Sequence, residues 1–516
     1  MNGKNNMSQK MKPIAMYLPQ FHEVKENNEW WGQGFTEWKA MDAAECLFDG
    51  HKQPKEPQDG YRYDLMDKST MQWQAELVHK YGLYGLCFYH YWFKDGRRIL
   101  EKPAENLLKW TDIELPFCFC WANESWVRSW SSISNQNVWA SKFEKKHTPT
   151  GTGVLLEQKY GYEKEWEEHY MYFSPFFKDA RYICKDNKPL LLLYKPADIV
   201  CLSEMIEHWN QLAKKDGFDG LYIIAAFCDN RSKKVVDAEL VQEPMSTIQR
   251  AFNARFQNEK YPNIARVLDY EELCKNSLAF CDKQENVYWG GFSNYDDTPR
   301  RGNAGTIVYG DTVEKFQSYL TELYAKNAAY GNEYVFVNAW NEWGEGMYLE
   351  PDEERKDGFL KAFANADHTY ENFIEKYATM KQEASARSIT VDIVKERYLQ
   401  ENKIYDKWML LKEAQINPAE YIQENFGTRV AIYGLGALGK HLLKELESTS
   451  VIVEYCIDKN ADGININQKV IHPDMELPEV DVVIVSTVHV YEEVRQQLLK
   501  KGVKRVVSLE RIVIEC

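Results

Sequence analysis

Short apolar runs of strand length recur through the first 345 residues and alternate with stretches of helical periodicity. No other feature of the chain limits its fold as tightly, because this alternation is the signature of βα units. Strands are predicted at Pro13–Leu18, Leu86–Tyr89, Phe117–Trp121, Leu190–Tyr194, Leu221–Ala226, Val287–Gly290 and Tyr334–Ala339, with an eighth at Glu239–Gln242. Helices are predicted near Ser69–Tyr81, Leu202–Lys215 and Thr312–Tyr330. In the first of these Ser69 supplies an N-cap, Met71, Ala75 and Val78 share a face, and Gly82 is the stop signal. A run that is apolar throughout, such as Leu190–Leu193, suits a strand buried on both faces of a parallel sheet. Seven or eight such strands with long insertions fit a (β/α)8 TIM-type barrel better than the alternative, an open doubly wound sheet.

At about 150 residues per domain, 516 residues make roughly three units. A barrel is expected over 10–358 and a charged helical connector over 359–427. A small Rossmann-like α/β domain is expected over 428–516, where the βαβ pattern restarts at Val430–Tyr433. Fifteen of the sixteen Trp lie between Trp30 and Trp343, and none follows Trp408, so the front and back of the chain differ in kind. The net charge of −15 and the lack of a polybasic run argue against nucleic acid or anionic lipid as partner. Eleven scattered cysteines, with no CxxC, read as reduced core thiols in a cytoplasmic protein. The stretch Ile14–Leu18 is too short for a signal or membrane span, and no metal site is expected.

Polar and aromatic residues cluster just past the predicted strands, where a barrel builds its active site. After the last strand, Glu342 and Glu345 stand three residues apart between aromatic side chains. Glycoside chemistry asks for such a pair, one carboxyl protonated and the other ionised. The alternative is that Glu342 caps a loop and Glu345 is solvated. Sugars present apolar C–H faces edged by hydroxyls, so their clefts want aromatic platforms with short polar acceptors. Trp31, Trp38, Trp92, Trp121, Trp126 and Trp343 are candidate platforms, and Glu37, Asn123, Glu124 and Asn341 candidate acceptors; core packing claims a share of the Trp. Asp296, Arg300 and Arg301 form a third cluster, in which the arginines could clamp a phosphate or an acidic sugar. His22 and His90 flank the same rim as donors to sugar hydroxyls, or else are structural. Near the C-terminus, Gly434, Gly436 and Gly439 form a GxGxxG turn between a strand and a helix, with Asp458 ending the next strand. That pattern suits a nucleotide or NAD(P), although a docking or degenerate module fits it equally well.

Five spaced motifs, Tyr17–His22, Trp30–Trp38, Cys120–Trp126, Thr298–Arg301 and Asn338–Gly346 with Leu349–Asp352, resemble the WbsX-type family over about residues 10–365. Its members are described as glycosyltransferases of bacterial surface-polysaccharide gene clusters, related to the endo-α-mannosidases of glycoside hydrolase family 99. The resemblance implies a (β/α)8 barrel that needs no cofactor. It also implies that Glu342 assists attack by the sugar's own 2-hydroxyl while Glu345 is general acid/base. This chain carries Gly344 where those hydrolases typically have His. The expected function is cleavage or transfer of a glycosyl unit of an oligo- or polysaccharide, lipid-linked precursors included, with docking to polysaccharide-biosynthesis proteins. Nucleotide-sugar-dependent transfer, a non-catalytic glycan-binding scaffold, and an oxidoreductase tail are the alternatives.

Overall fold

The computed structural model describes residues 10–42, 44–127, 154–252, 261, 263–281, 286–386, 393–464 and 466–516. The chain divides into two compact units, Met1–Arg387 and Ser388–Cys516.

The first unit is a parallel barrel. Its strands are β1 (Lys12–Tyr17), β2 (Gly85–Trp92), β3 (Phe117–Trp121), β4 (Lys188–Leu193), β5 (Tyr222–Ala226), β6 (Ala238–Val241), β7 (Val287–Trp289, continued by Gly291–Phe292) and β8 (Tyr334–Asn338). Each pairs in parallel with its sequence neighbours, and β8 pairs with β1, Lys12 facing Tyr334. The ring closes through β7, whose first segment pairs with β6 and whose second pairs with β8. Gly290 is the change-over point. A Cβ there would lie 2.5 Å from the Val241 carbonyl oxygen, so only glycine lets β6 and β7 come this close. The strands are almost wholly buried, as a sheet with its interior packed and helices outside requires.

Outside the ring, the helix Glu163–Phe177 packs aromatic residues against β3: Phe176 lies 5.0 Å from Phe119, ring to ring. The helix Val313–Ala329 carries two further helices, Gly358–Ala366 and Ile374–Ala386, through ring contacts such as Phe316 to Phe359 at 4.8 Å and a hydrogen bond from Tyr377 to Glu322 at 2.7 Å.

The second unit is a five-stranded parallel sheet of β9 (Arg429–Tyr433), β10 (Ile452–Ile457), β11 (Val470–Ile471), β12 (Val482–Val485) and β13 (Val506–Ser508), in the order β11-β10-β9-β12-β13. That order, 3-2-1-4-5, is the doubly wound order 3-2-1-4-5-6 without its last strand. The helices Ile393–Glu413 and Pro418–Phe426 belong here. Gln400 donates to Glu510 at 3.2 Å and Tyr421 to Glu515 at 2.6 Å, both acceptors lying on the C-terminal helix. The separate connector expected over 359–427 is therefore corrected. Its first helices lie against the helix Val313–Ala329 of the first unit and its later ones against the C-terminal helix Leu509–Glu515 of the second.

Gly290→Ala should destabilise the first unit by about 1–3 kcal/mol through overpacking at the closure. Denaturant unfolding measures this, and an unchanged midpoint would show that the seam tolerates a side chain.

Candidate active site

The segment after β8 folds back at once: Asn341–Glu342 pairs with Met347–Tyr348 across a tight turn, Trp343–Glu345. Gly346 closes the turn with φ +62°, a left-handed conformation that favours glycine. The short helix Thr298–Arg301 after β7 brings Arg300 against this turn. The guanidinium donates from Nε and Nη2 to Glu37 at 3.2 and 2.7 Å, from Nη2 to Glu342 at 3.4 Å, and from Nη1 to Glu345. Three carboxylates thus share one cation. The side chains of Arg300, Glu37 and Glu342 are 7%, 3% and 10% exposed, whereas that of Glu345 is 25% exposed. Gly344 makes the cluster possible, since a Cβ there would lie 2.1 Å from Glu37 Oε1.

Burial raises the Glu342 carboxyl to about 8, and the charge of Glu345 adds to this against the pull of Arg300. Burial alone would lower the Arg300 guanidinium, but Glu37, Glu345 and Glu342 together hold it well above its ordinary value.

The loop after β7 is bolted on both sides. The Asp296 amide donates to the Glu345 carbonyl at 2.7 Å, and the Asp296 carboxylate receives Gln53 at 2.7 Å and Thr298 at 2.6 Å, with His51 Nε2 2.9 Å away. Burial would raise Asp296, but these partners hold it below its ordinary value. Burial takes Asp297 up to about 6, although Arg301 pairs with it at 3.1 Å and the Thr306 amide donates at 2.6 Å.

Several residues expected at the rim lie elsewhere. Because β2 runs on to Trp92, period-two alternation sends His90 and Trp92 to the face opposite Tyr89 and Tyr91. Trp92 stacks on His169 at 4.3 Å, His90 meets the same ring nitrogen to nitrogen at 2.9 Å, and Trp121 packs edge-on to it at 4.7 Å. All three therefore belong to the strand–helix layer. Trp38 and Trp343 are buried under the site; their indoles donate to the Tyr63 carbonyl and to Glu350, at 2.9 and 2.8 Å. Asn341 clasps the Leu18 backbone at 2.8 and 3.0 Å, and Asn123 that of Lys195 at 2.8 and 2.7 Å, so both are clamps between strand ends. Arg300 and Arg301 are both engaged by carboxylates and form no open phosphate clamp. Trp126 packs edge-on to Tyr91 at 5.2 Å. Glu124 pairs with Lys195 at a part-exposed position on the rim, and His22 is buried, its imidazole lowered by that burial. The Trp31 side chain falls outside what the structure describes.

Two contributors carried little sequence signal. Glu350, fully buried, receives Tyr63 OH, Gln74 Nε2, Trp340 Nε1 and Trp343 Nε1, each at 2.8 Å, and burial raises it to about 7. Tyr194, just past β4, stands edge-on to Tyr89 at 6.3 Å, and both half-buried rings feel the charge of Glu342. Glu350 could be found only within the Leu349–Asp352 motif, and Tyr194 only by its place at a strand end.

In the second unit, the helix Ala437–Leu446 opens at the glycine turn. A Cβ at Gly439 would lie 1.9 Å from the Gly434 carbonyl oxygen, while nothing stands within 4 Å of one at Gly436. Asp458 accepts the Leu435 and Asn460 amides at 2.7 and 2.9 Å, so its carboxylate braces the turn itself. Among the described residues no cluster of three or more His, Cys, Asp or Glu side chains could hold a metal ion, and no helix is long and apolar enough to cross a membrane.

Fold and site together define a (β/α)8-barrel protein whose C-terminal rim carries a buried carboxylate cluster on one arginine. Residues 13–363 match the family model described as Glycosyltransferase WbsX, and the chain belongs to that family. Residues 427–507 match a second model, C2185-like, N-terminal. The uncharacterised protein WxcX of Xanthomonas campestris pv. campestris is 31% identical over 359 residues, which are 68% of this chain and 49% of that protein. The chain thus spans about half the length of the curated relatives it matches. Among solved structures, an endo-alpha-mannosidase of glycoside hydrolase family 99 from Bacteroides thetaiotaomicron is 12% identical, with TM-score 0.40, covering 71% of this chain and 98% of that one. A glycoside hydrolase-like protein is 13% identical, with TM-score 0.42, covering 71% of this chain and 96% of that one.

A carboxyl raised from 4.5 in the unfolded chain to about 8 in the folded one stabilises the fold fully below the lower value. That contribution is lost as pH rises through the higher value. Glutamine mimics the protonated form, so the stability of the wild type relative to Glu342→Gln should fall between pH 4.5 and about 8. Unfolding curves across that range check this, and parallel stabilities would refute it.

Proposed function

We propose that this chain is a carbohydrate-active enzyme that cleaves or transfers a glycosyl unit of a bacterial surface polysaccharide or its lipid-linked precursor. Glu345 serves as acid/base and Glu342 as partner carboxylate. The observation that carries this reading is the pair itself: two carboxyls on one guanidinium at the C-terminal rim, one buried and one a quarter exposed. Glycosyl chemistry needs a pair that holds one proton between its members, and unequal burial beside mutual repulsion separates their affinities for it. A carboxylate raised to about 8 is, once ionised, a much stronger base than a solvated one, as removal of a proton from a sugar hydroxyl requires.

The substrate class follows from the charges. Among the described residues Arg300 is held by three carboxylates rather than open to an acidic sugar, which favours a neutral saccharide that Tyr89 and Tyr194 can meet with ring faces. All eleven cysteines are free, which supports a reducing compartment and hence synthesis on the cytoplasmic side. The family description favours transfer over hydrolysis.

Glu342→Gln and Glu345→Gln should each lower turnover of a cognate glycan by about 10²–10⁴-fold with binding retained; wild-type rates in both would end the proposal. In the wild type, kcat/KM should fall as pH rises through about 8, where the pair loses its last proton. A rate that keeps rising through that midpoint would refute a proton held between the two carboxyls. Dependence on a nucleotide-sugar donor would select transfer, and action on an intact oligosaccharide alone would select hydrolysis or transglycosylation.

A further inference from the structure

Glu37 is the first residue of the short helix Glu37–Asp42, and that helix is pinned at its start: the Glu37 amide donates to the Gln20 carbonyl at 3.3 Å, and the next side chain, Trp38, donates to the Tyr63 carbonyl at 2.9 Å. One carboxylate oxygen, Oε1, takes both Nε and Nη2 of Arg300. This leaves Nη1 for Glu345 and only a long contact, 3.4 Å, for Glu342. The same oxygen occupies the volume that a side chain at 344 would fill, 2.1 Å from the Cβ position. A carboxylate at 37 and a side chain at 344 are therefore mutually exclusive.

We propose that Glu37 is a positioning residue, seated in the space left by Gly344, that holds Arg300 across Glu342 and Glu345 and fixes the charge the pair experiences. The inference rests on the reading of that pair as catalytic for its functional meaning, but not for its test. The groups facing Glu342 are Glu345 on its own turn, Arg300 from the helix after β7, Glu37, and the phenols Tyr89, Tyr91 and Tyr194 from β2 and the end of β4. Neutralising Glu37 removes one negative charge and frees the arginine fork toward Glu342. Both changes favour the ionised form of Glu342.

The test is a carbon-13 NMR titration of glutamate carboxyls in the full chain, with Glu342→Gln identifying the signal. The wild-type midpoint should lie near 8. Glu37→Gln, which keeps the shape of the side chain, should move it down by at least about one pH unit, given the interaction of charges a few ångströms apart. Gly344→Ala should shift it in the same direction by displacing the carboxylate, and the double variant should add nothing to the larger single shift. An unmoved midpoint in Glu37→Gln, or additive shifts in the double variant, would overturn the proposal. Should Gly344→Ala fail to fold, Glu37→Gln alone decides. Unimpaired turnover by Glu342→Gln would refute the catalytic reading and leave the titration result standing, so the two fail separately.

Discussion

The rim of the barrel is organised around a single buried guanidinium. Taking an ion out of water costs several kcal/mol unless close partners replace the lost hydration. Arg300 meets this with three carboxylates from two other chain segments, Glu37 after β1 and Glu342 with Glu345 after β8. Removing one partner of such a group costs about 3–5 kcal/mol, because the remaining charges stay buried. Three loops far apart in sequence are thereby fixed against one another. The negative charges outnumber the positive one, and a proton on Glu342 eases that imbalance, which ties the geometry of the cluster to its acid–base chemistry.

Beneath the charged layer lies a second hub of different character. Glu350 collects four donors, two of them indole N–H groups, and so sets the orientation of Trp340 and Trp343. Trp343 then stacks on Tyr348 at 3.7 Å and approaches Trp38 at 5.9 Å. The aromatic excess of the front of the chain accordingly builds a rigid floor under the carboxylates and a strand–helix layer outside β2 and β3. The tyrosines at the strand ends, rather than the tryptophans, face the charged cluster.

Much of the barrel was legible because its strands are apolar runs bounded by punctuation, and runs of that kind need no partner to be recognised. Phe117–Trp121 ends where the sequence places it. The end of β2 is different: His90, Tyr91 and Trp92 look like a polar loop, yet they continue the strand. A shift of three residues in a strand's end decides whether side chains fan out at a rim or alternate between two faces, and no local signal separates those outcomes. Asn341 and Asn123 misled for a related reason. An amide at a strand end can bind a sugar or clasp a neighbouring backbone with the same atoms, and only the neighbour's position chooses between them.

By itself, the sequence determined the βα succession, the change of character toward the C-terminus, and the presence of two glutamates three residues apart after the last strand, because these depend on local pattern and spacing alone. Tertiary structure decided what those glutamates touch. Arg300, separated from them by more than forty residues, read as an anion clamp in isolation and became the anchor of three carboxylates once β7 and β8 were adjacent. Glu37 and Gly344, about three hundred residues apart, proved to contest one volume. Contacts of that kind arise from the closure of the barrel, and the physical reason they escape the sequence is that charge pairing and steric exclusion act through space between residues whose sequence separation carries no trace of it.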